Sequence, residues 1–220
     1  MKLIIFVHTC KLYEKTRAKL LESTWANNKD VVFITDNEKS ELKNNIYIGP
    51  YISGPTYHPE NVKKMFDLFL NKYQDYDFFM IIDDDSYLYI DKLKQYLSFF
   101  NKDEPYMIGD FVNWTYIFPN YKCKGGYNNW IGGGSGIVFT KTCLREYIEL
   151  YNTHNIPYSN HDVWLHHLYT LSSGKIKRVD CPAFHQYNAD VLYKEHSKQS
   201  NNLISLHLNH NMDLIFNYHI

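Results

Sequence analysis

Phe78-Phe79-Met80-Ile81-Ile82 is an unbroken apolar run that stops at three consecutive carboxylates, Asp83-Asp84-Asp85. A half-exposed strand alternates apolar and polar side chains, so a continuous run of this length suits a strand covered on both faces. Such a strand needs neighbours on each side and helices above and below, which selects an α/β layered domain. The rest of the 220-residue chain agrees. Leu3–Val7, Val31–Ile34, Tyr106–Ile108 and Ile137–Phe139 read as strands, and Leu12 to Ala26 reads as a helix between the first two. Val62, Met65, Phe66, Phe69, Leu70 and Tyr73 recur at helical spacing, with Pro59 suited to the first turn. Shorter helical stripes are Leu93/Tyr96/Leu97/Phe100, Leu144/Tyr147/Ile148/Tyr151 and Val163/Trp164/His167/Leu168/Leu171. Gly49, Gly54 and Pro55 mark a loop.

Charge and cysteine usage narrow the class. Lys plus Arg number 23 and Asp plus Glu 24, a balance that argues against a nucleic-acid backbone as the main partner. No apolar run approaches the ~20 residues of a membrane span. The opening apolar run is too short for a signal peptide, so the expectation is a soluble chain, cytoplasmic rather than luminal. Cys10, Cys123, Cys143 and Cys181 have no metal-finger spacing and demand no disulfide framework. Aromatics reach 17% of the chain, which fits either a sugar-binding surface or AT-rich codon usage.

Four local features carry chemistry. Adjacent carboxylates repel unless a cation or donor groups offset them, and the tip of a central strand faces the crevice where α/β folds bind ligands. Carboxylate oxygens there suit Mg2+ or Mn2+, while the plainer reading of Asp83–Asp85 is a solvated acidic turn. Trp130-Ile131-Gly132-Gly133-Gly134-Ser135-Gly136 lets backbone approach a ligand closely, or is a flexible loop. It matches no phosphate-binding glycine pattern with a following lysine. Asn160-His161-Asp162-Val163-Trp164 heads a helix, where Asp162 is either a cap or a general base. Phe184-His185 offers either a structural histidine or a metal ligand. Trp114, Tyr116, Trp130 and Trp164 are candidates for acceptor contact or core, and Asn113-Trp114-Thr115 is a glycosylation sequon.

In this order the motifs resemble the fringe-like branch of the β1,3-glycosyltransferases. The resemblance rests on Phe6-Val7-His8-Thr9, on Thr16 to Trp25 and on Phe33-Ile34-Thr35-Asp36. It continues through Phe78 to Tyr87, the glycine run, His161-Asp162-Val163 and Phe184-His185, from about residue 3 to about residue 188. It implies a single GT-A-like domain, a Rossmann-type mixed sheet flanked by helices. Its nucleotide-binding part would be about 1–110 and its acceptor-side part about 111–190, with 191–220 unassigned. It also implies an inverting, Mn2+- or Mg2+-dependent enzyme moving a sugar from UDP to a hydroxyl of a glycan or glycoprotein, forming a β1,3 linkage. Position by position, Thr9, Arg17, Thr35 and Asp36 would line the nucleotide pocket and Asp84 would contact ribose or sugar. Gly132, Gly133 and Gly134 would bound the donor and acceptor side. Asp85, with Asp83 and His185, would hold the metal, and Asp162 would be the catalytic base. Family members usually carry two acidic residues where this chain has His161-Asp162, and they usually have luminal cysteine pairs and a membrane anchor. An excised luminal domain is therefore the alternative to a cytoplasmic protein. Two other functions stay open from the residues alone. One is a metal-dependent phosphoryl- or nucleotidyl-transfer enzyme, and the other is an inactive sugar- or nucleotide-binding module.

Overall fold

A computed structural model describes residues 1–51, 59–113, 129–154, 160–186 and 202–218. Its centre is a seven-stranded mixed sheet. The strands are β1 (Leu3–His8), β2 (Val31–Thr35), β3 (Asn45–Tyr47), β4 (Phe78–Asp83), β6 (Tyr106–Gly109), β9 (Ile137–Thr140) and β10 (Lys177–Asp180), in the order β10-β6-β9-β4-β1-β2-β3. All run parallel except β9, which pairs antiparallel to β4 and β6. The sheet is the mixed α/β layer the sequence implies, and β4 lies between β1 and β9 with Phe78–Ile82 buried. Two smaller sheets flank it. One joins β5 (Ser86–Leu88), β11 (Phe184–His185) and β12 (Ser205–His207), and the other pairs β7 (Phe111–Asn113) with β8 (Asn129–Ile131).

Helices fill both faces. α2 (Pro59–Lys72), α4 (Lys141–Thr153) and α5 (His161–Leu171) share one apolar layer with the even positions of β1 and the odd positions of β4, Ile4, Phe6, Phe79 and Ile81. Phe66 of α2 sits edge-on to Phe79 and Phe139, at centroid distances of 6.0 and 5.2 Å. The other layer gathers α1 (Lys19–Glu22), α3 (Ile90–Leu97), β12 and α6 (Ile215–Tyr218) around Leu3, Ile5, Val7, Met80 and Ile82. The segment read as one helix from Leu12 to Ala26 is shorter and irregular. A wide π turn (Glu14–Ala18) runs into the single turn of α1, because Ala18 N–H reaches back to the Tyr13 carbonyl. A helix here would have to satisfy both the core, through Leu21 and Trp25, and the site, through Arg17; the wider turn meets both demands. Trp25 Nε1 donates to the Ser86 carbonyl at 3.0 Å, tying this segment to β5.

Residues 202–218, left unassigned from sequence, contribute β12 and α6 to the core through Leu206, Leu208 and Ile215. β9, from the second half of the chain, lies between β4 and β6 from the first. Among the described residues no helix is long and apolar enough to cross a membrane. Cys10, Cys143 and Cys181 are buried thiols. Gly54, Pro55, Trp114, Tyr116, Cys123 and most of the sequon lie outside the described residues.

Candidate active site

Parallel strands bring their C-terminal ends to one edge of a sheet, and ligands of α/β folds bind in the crevice beyond that edge. β1 and β4 end side by side here, with His8 level with Asp83. β9 runs the opposite way, so its start meets the end of β4. Ile81 pairs with Ile137, and the glycine run just before β9 therefore falls beside Asp83. Asp83 N–H donates to the Gly134 carbonyl at 3.3 Å, and Ser86 Oγ donates to the same carbonyl at 2.7 Å. Gly136 takes φ +104°, a conformation that favours glycine, at the turn into β9.

A cavity of about 390 Å³ opens at this edge. Of the residues singled out from sequence, Thr9, Arg17, Asp83, Asp84, Asp85, Gly133, Gly134 and Asp162 line it. Thr35, Asp36, Gly132 and His185 do not. Thr35 is buried at the end of β2, and Asp36 after it accepts from Lys11 N–H at 2.7 Å. Gly132 N–H donates to the Asp110 carbonyl at 3.0 Å. His185 stands apart from the lining residues. It pairs with Leu206 in the parallel register of β11 and β12, and register partners share a face of the sheet. His207, one residue further along β12, points the other way. It is His207 that joins Asp83 and Asp85, with one potential ligand atom from each residue lying within 4.8 Å of the others.

Each carboxylate of the triplet has its own surroundings. Asp84 is turned inward, accepting from Thr9 Oγ1 at 2.6 Å and Arg17 Nη1 at 3.2 Å. Burial nonetheless outweighs these partners and raises its pKa to about 6. Asp85 lies 3.2 Å from His207 Nε2, 3.0 Å from His210 Nδ1 and 3.3 Å from Arg17 Nη1. Burial alone would raise the Asp85 pKa, but the His207 contact and the charges of His207, Arg17 and His210 hold it below the usual carboxylate range. Burial alone would lower the His207 pKa, and the hydrogen bond and charge of Asp85 outweigh that and raise it. The Arg17 guanidinium and the ring contacts of His207 and His210 offset the repulsion that the sequence implies for three adjacent acids.

Gln186 organises the next layer. Its Oε1 accepts from Ser135 N–H at 2.8 Å and its carbonyl lies 3.3 Å from His207 Nδ1. Its own N–H donates to Asp110 Oδ2 at 2.9 Å. Its Nε2 also lies 3.3 Å from His207 Nδ1, so Gln186 holds one ring nitrogen while Nε2 of the ring faces Asp85. Asp162 stands in the first turn of α5, with Asn160 rather than Asp162 as the capping residue. Its Oδ2 accepts from Trp130 Nε1 at 3.2 Å and its Oδ1 from Val163 N–H at 2.8 Å. Beside it His161 is buried, and burial lowers its pKa. His8 stacks 4.7 Å from Tyr51 and is lowered to about 3, by burial first and then by His161.

His207, Asn209, His210, Gln186 and Tyr13 are cavity residues that motif reading passes over. A signal for His207 exists in Ile204-Ser205-Leu206-His207-Leu208, where apolar residues alternate with polar ones at strand period.

Comparison with known proteins adds the lineage. The human β-1,3-glucosyltransferase is 26% identical over 145 residues, covering 65% of this chain and 27% of that protein. The apo-form glycosyltransferase GlyE of Streptococcus pneumoniae superposes with a TM-score of 0.49 at 11% identity, over 100% of this chain and 60% of that one. A glycosyltransferase involved in glycosylating the major capsid of PBCV-1 gives 0.47 at 13% identity, over 94% of each chain. The family profile described as Fringe-like matches residues 1–215, and the chain belongs to the Fringe-like family.

Proposed function

We propose that the chain is a metal-dependent, inverting glycosyltransferase. It moves a sugar from a UDP-sugar to a hydroxyl of a glycan or glycoprotein and forms a β1,3 linkage. The observation that carries this reading is one cavity, in a Fringe-like chain, holding both the Asp83/Asp85/His207 cluster and Asp162. The β-1,3 specificity in the name of the human relative supports the linkage. The nucleotide side is assigned to the first half of the chain, with Arg17 and Thr9 on the cavity wall and Thr35 and Asp36 at the end of the neighbouring strand β2. The acceptor side is assigned to the part that carries Asp162.

The donor set fits a divalent cation. Two carboxylate oxygens are hard ligands that suit Mg2+ and Mn2+, and an imidazole nitrogen alongside them favours Mn2+. Asp83, Asp85 and His207 would hold the ion, and when bound it supplies charge against the diphosphate that leaves the sugar. The chain's own groups do the rest. Gln186 orients the His207 ring, and Arg17, stacked 3.8 Å over Tyr13, offers a fixed guanidinium to phosphate oxygens. Gly133 and Gly134 keep the wall between metal cluster and base free of side chains. Asp162 accepts the proton of the acceptor hydroxyl as its oxygen attacks the anomeric carbon. The bond from that carbon to the diphosphate breaks in the same displacement, so configuration inverts without a covalent enzyme intermediate. Trp130 and Val163 fix the direction of the Asp162 carboxylate.

A screen of UDP-sugars for Mn2+-dependent hydrolysis identifies the donor, since slow hydrolysis needs no acceptor. Absence of both UDP binding and hydrolysis with every sugar sinks the proposal. In Asp162→Asn, UDP affinity with Mn2+ is expected to stay unchanged while transfer falls by about 10²–10⁴-fold. Transfer at the unmodified rate removes Asp162 as the base.

A further inference from the structure

The backbone after β12 turns back across the acid cluster. Asn209 and His210 take φ of +48° and +70°, left-handed conformations that are strained for non-glycine residues. This turn delivers His210 to Asp85. His210 N–H lies 3.3 Å and Nδ1 3.0 Å from Asp85 Oδ2, and Arg17 Nη1 is 3.3 Å from that same oxygen. Arg17 Nη2 is also 2.5 Å from His210 Nδ1. One carboxylate oxygen has two lone pairs, and a single ring nitrogen cannot both donate to Asp85 and accept from Arg17. Arg17 Nη1, His210 N–H and the His210 ring thus converge on one oxygen of Asp85, and Arg17 Nη1 also donates to Asp84 Oδ1 at 3.2 Å. Both side chains line the cavity, with Arg17 inside at 12% exposure and His210 on the lip at 67%.

We propose that His210 is a second anion-binding residue, which acts with Arg17 to grip the diphosphate of the donor. The proposal rests on the donor-site reading above and adds a residue to it. Asp83, Asp85 and His207 would hold a cation, whose charge would compete with Arg17 and His210 for Asp85 and free their N–H groups for another acceptor. An anion at that corner would accept from both side chains, which already lie together on the cavity wall. The imidazole carries at least one N–H in either protonation state, so the contact does not depend on its titration.

The test is calorimetric, on the full chain. Mn2+ alone is titrated first, then UDP and inorganic pyrophosphate in the presence of Mn2+. In His210→Ala, affinity for both phosphate ligands is expected to fall about tenfold, while affinity for Mn2+ alone does not fall. His210→Gln, which keeps an N–H at similar reach, is expected to recover most of the loss. Unchanged UDP affinity in His210→Ala overturns the proposal. So does an equal loss of Mn2+ affinity, which places His210 in support of the metal cluster instead. If the unmodified chain takes up Mn2+ but neither UDP nor pyrophosphate, the donor-site reading falls and this proposal with it.

Discussion

A methyl group on Gly134 would sit 2.8 Å from three atoms of the His207 ring, and one on Gly133 would sit 2.1 Å from His161 Nε2. The glycines are required here by close approach of side chains that belong to the site. Gly134→Ala is therefore expected to push His207 away from Asp85 and to weaken Mn2+ binding by about 10–100-fold, as displaced supporting contacts do at metal sites. Electron paramagnetic resonance titration of Mn2+ reads this directly, and unchanged affinity shows that the ring has room to shift. Asp110 sits one layer further out. Burial raises its pKa to about 7, with Asp180 adding to the shift and the Gln186 N–H opposing it. An acid raised in the folded state stabilises the fold below its ordinary pKa, and that contribution is lost as pH rises toward the folded value. From pH 4 to pH 7 the Asp110 carboxyl thus erodes stability. Asp110→Asn is expected to flatten the fall in Tm between pH 5 and pH 8, raising it by a few degrees at pH 8. Parallel Tm curves for the two proteins refute this role.

At the scale of elements, α2 and β4 share an aromatic layer. Phe66 is buried against Phe79, Phe139 and Tyr147. Phe66→Ala removes a whole ring from a packed interior and is expected to cost about 3–5 kcal/mol, a large part of the ~5–15 kcal/mol of a typical domain. Urea unfolding measures it, and a loss below about 1 kcal/mol indicates that α2 collapses onto the gap. The helix itself is legible in the sequence, because Val62 to Tyr73 repeats at helical spacing and the pattern is contiguous. β5, β7, β8 and β11 are not. Each is two or three residues long, too short for alternation to register, and exists because a partner strand from elsewhere satisfies its backbone groups.

At the scale of the whole molecule, the last segment closes both the core and the site. Leu203, Ile204, Leu206, Leu208 and Ile215 are all buried, and His207 lies among them in sequence. A chain stopped after residue 201 leaves β5 and β11 without the strand between them. It is expected to lose fixed tertiary packing, seen as loss of the near-ultraviolet circular dichroism of its aromatic residues, as well as Mn2+ binding. Retention of a native aromatic signal without metal binding would show instead that β12 serves the site alone.

Contiguous residues determined the α/β layering, the buried central strand, its acidic tip and the glycine run, because periodicity and burial are written locally. The motif order pointed to the Fringe-like family for the same reason. The choice of histidine was made in three dimensions. Pairing of β12 between β11 and β5 sets His207 beside Asp85 with His185 in register with Leu206, and a slip of β12 by one residue would turn His207 away from the acids. The antiparallel course of β9 likewise brings Gly134 to Asp83, and the turn at Asn209 brings His210 to Arg17. Register and strand direction depend on partners far away in the chain, and only the folded molecule holds those partners in place.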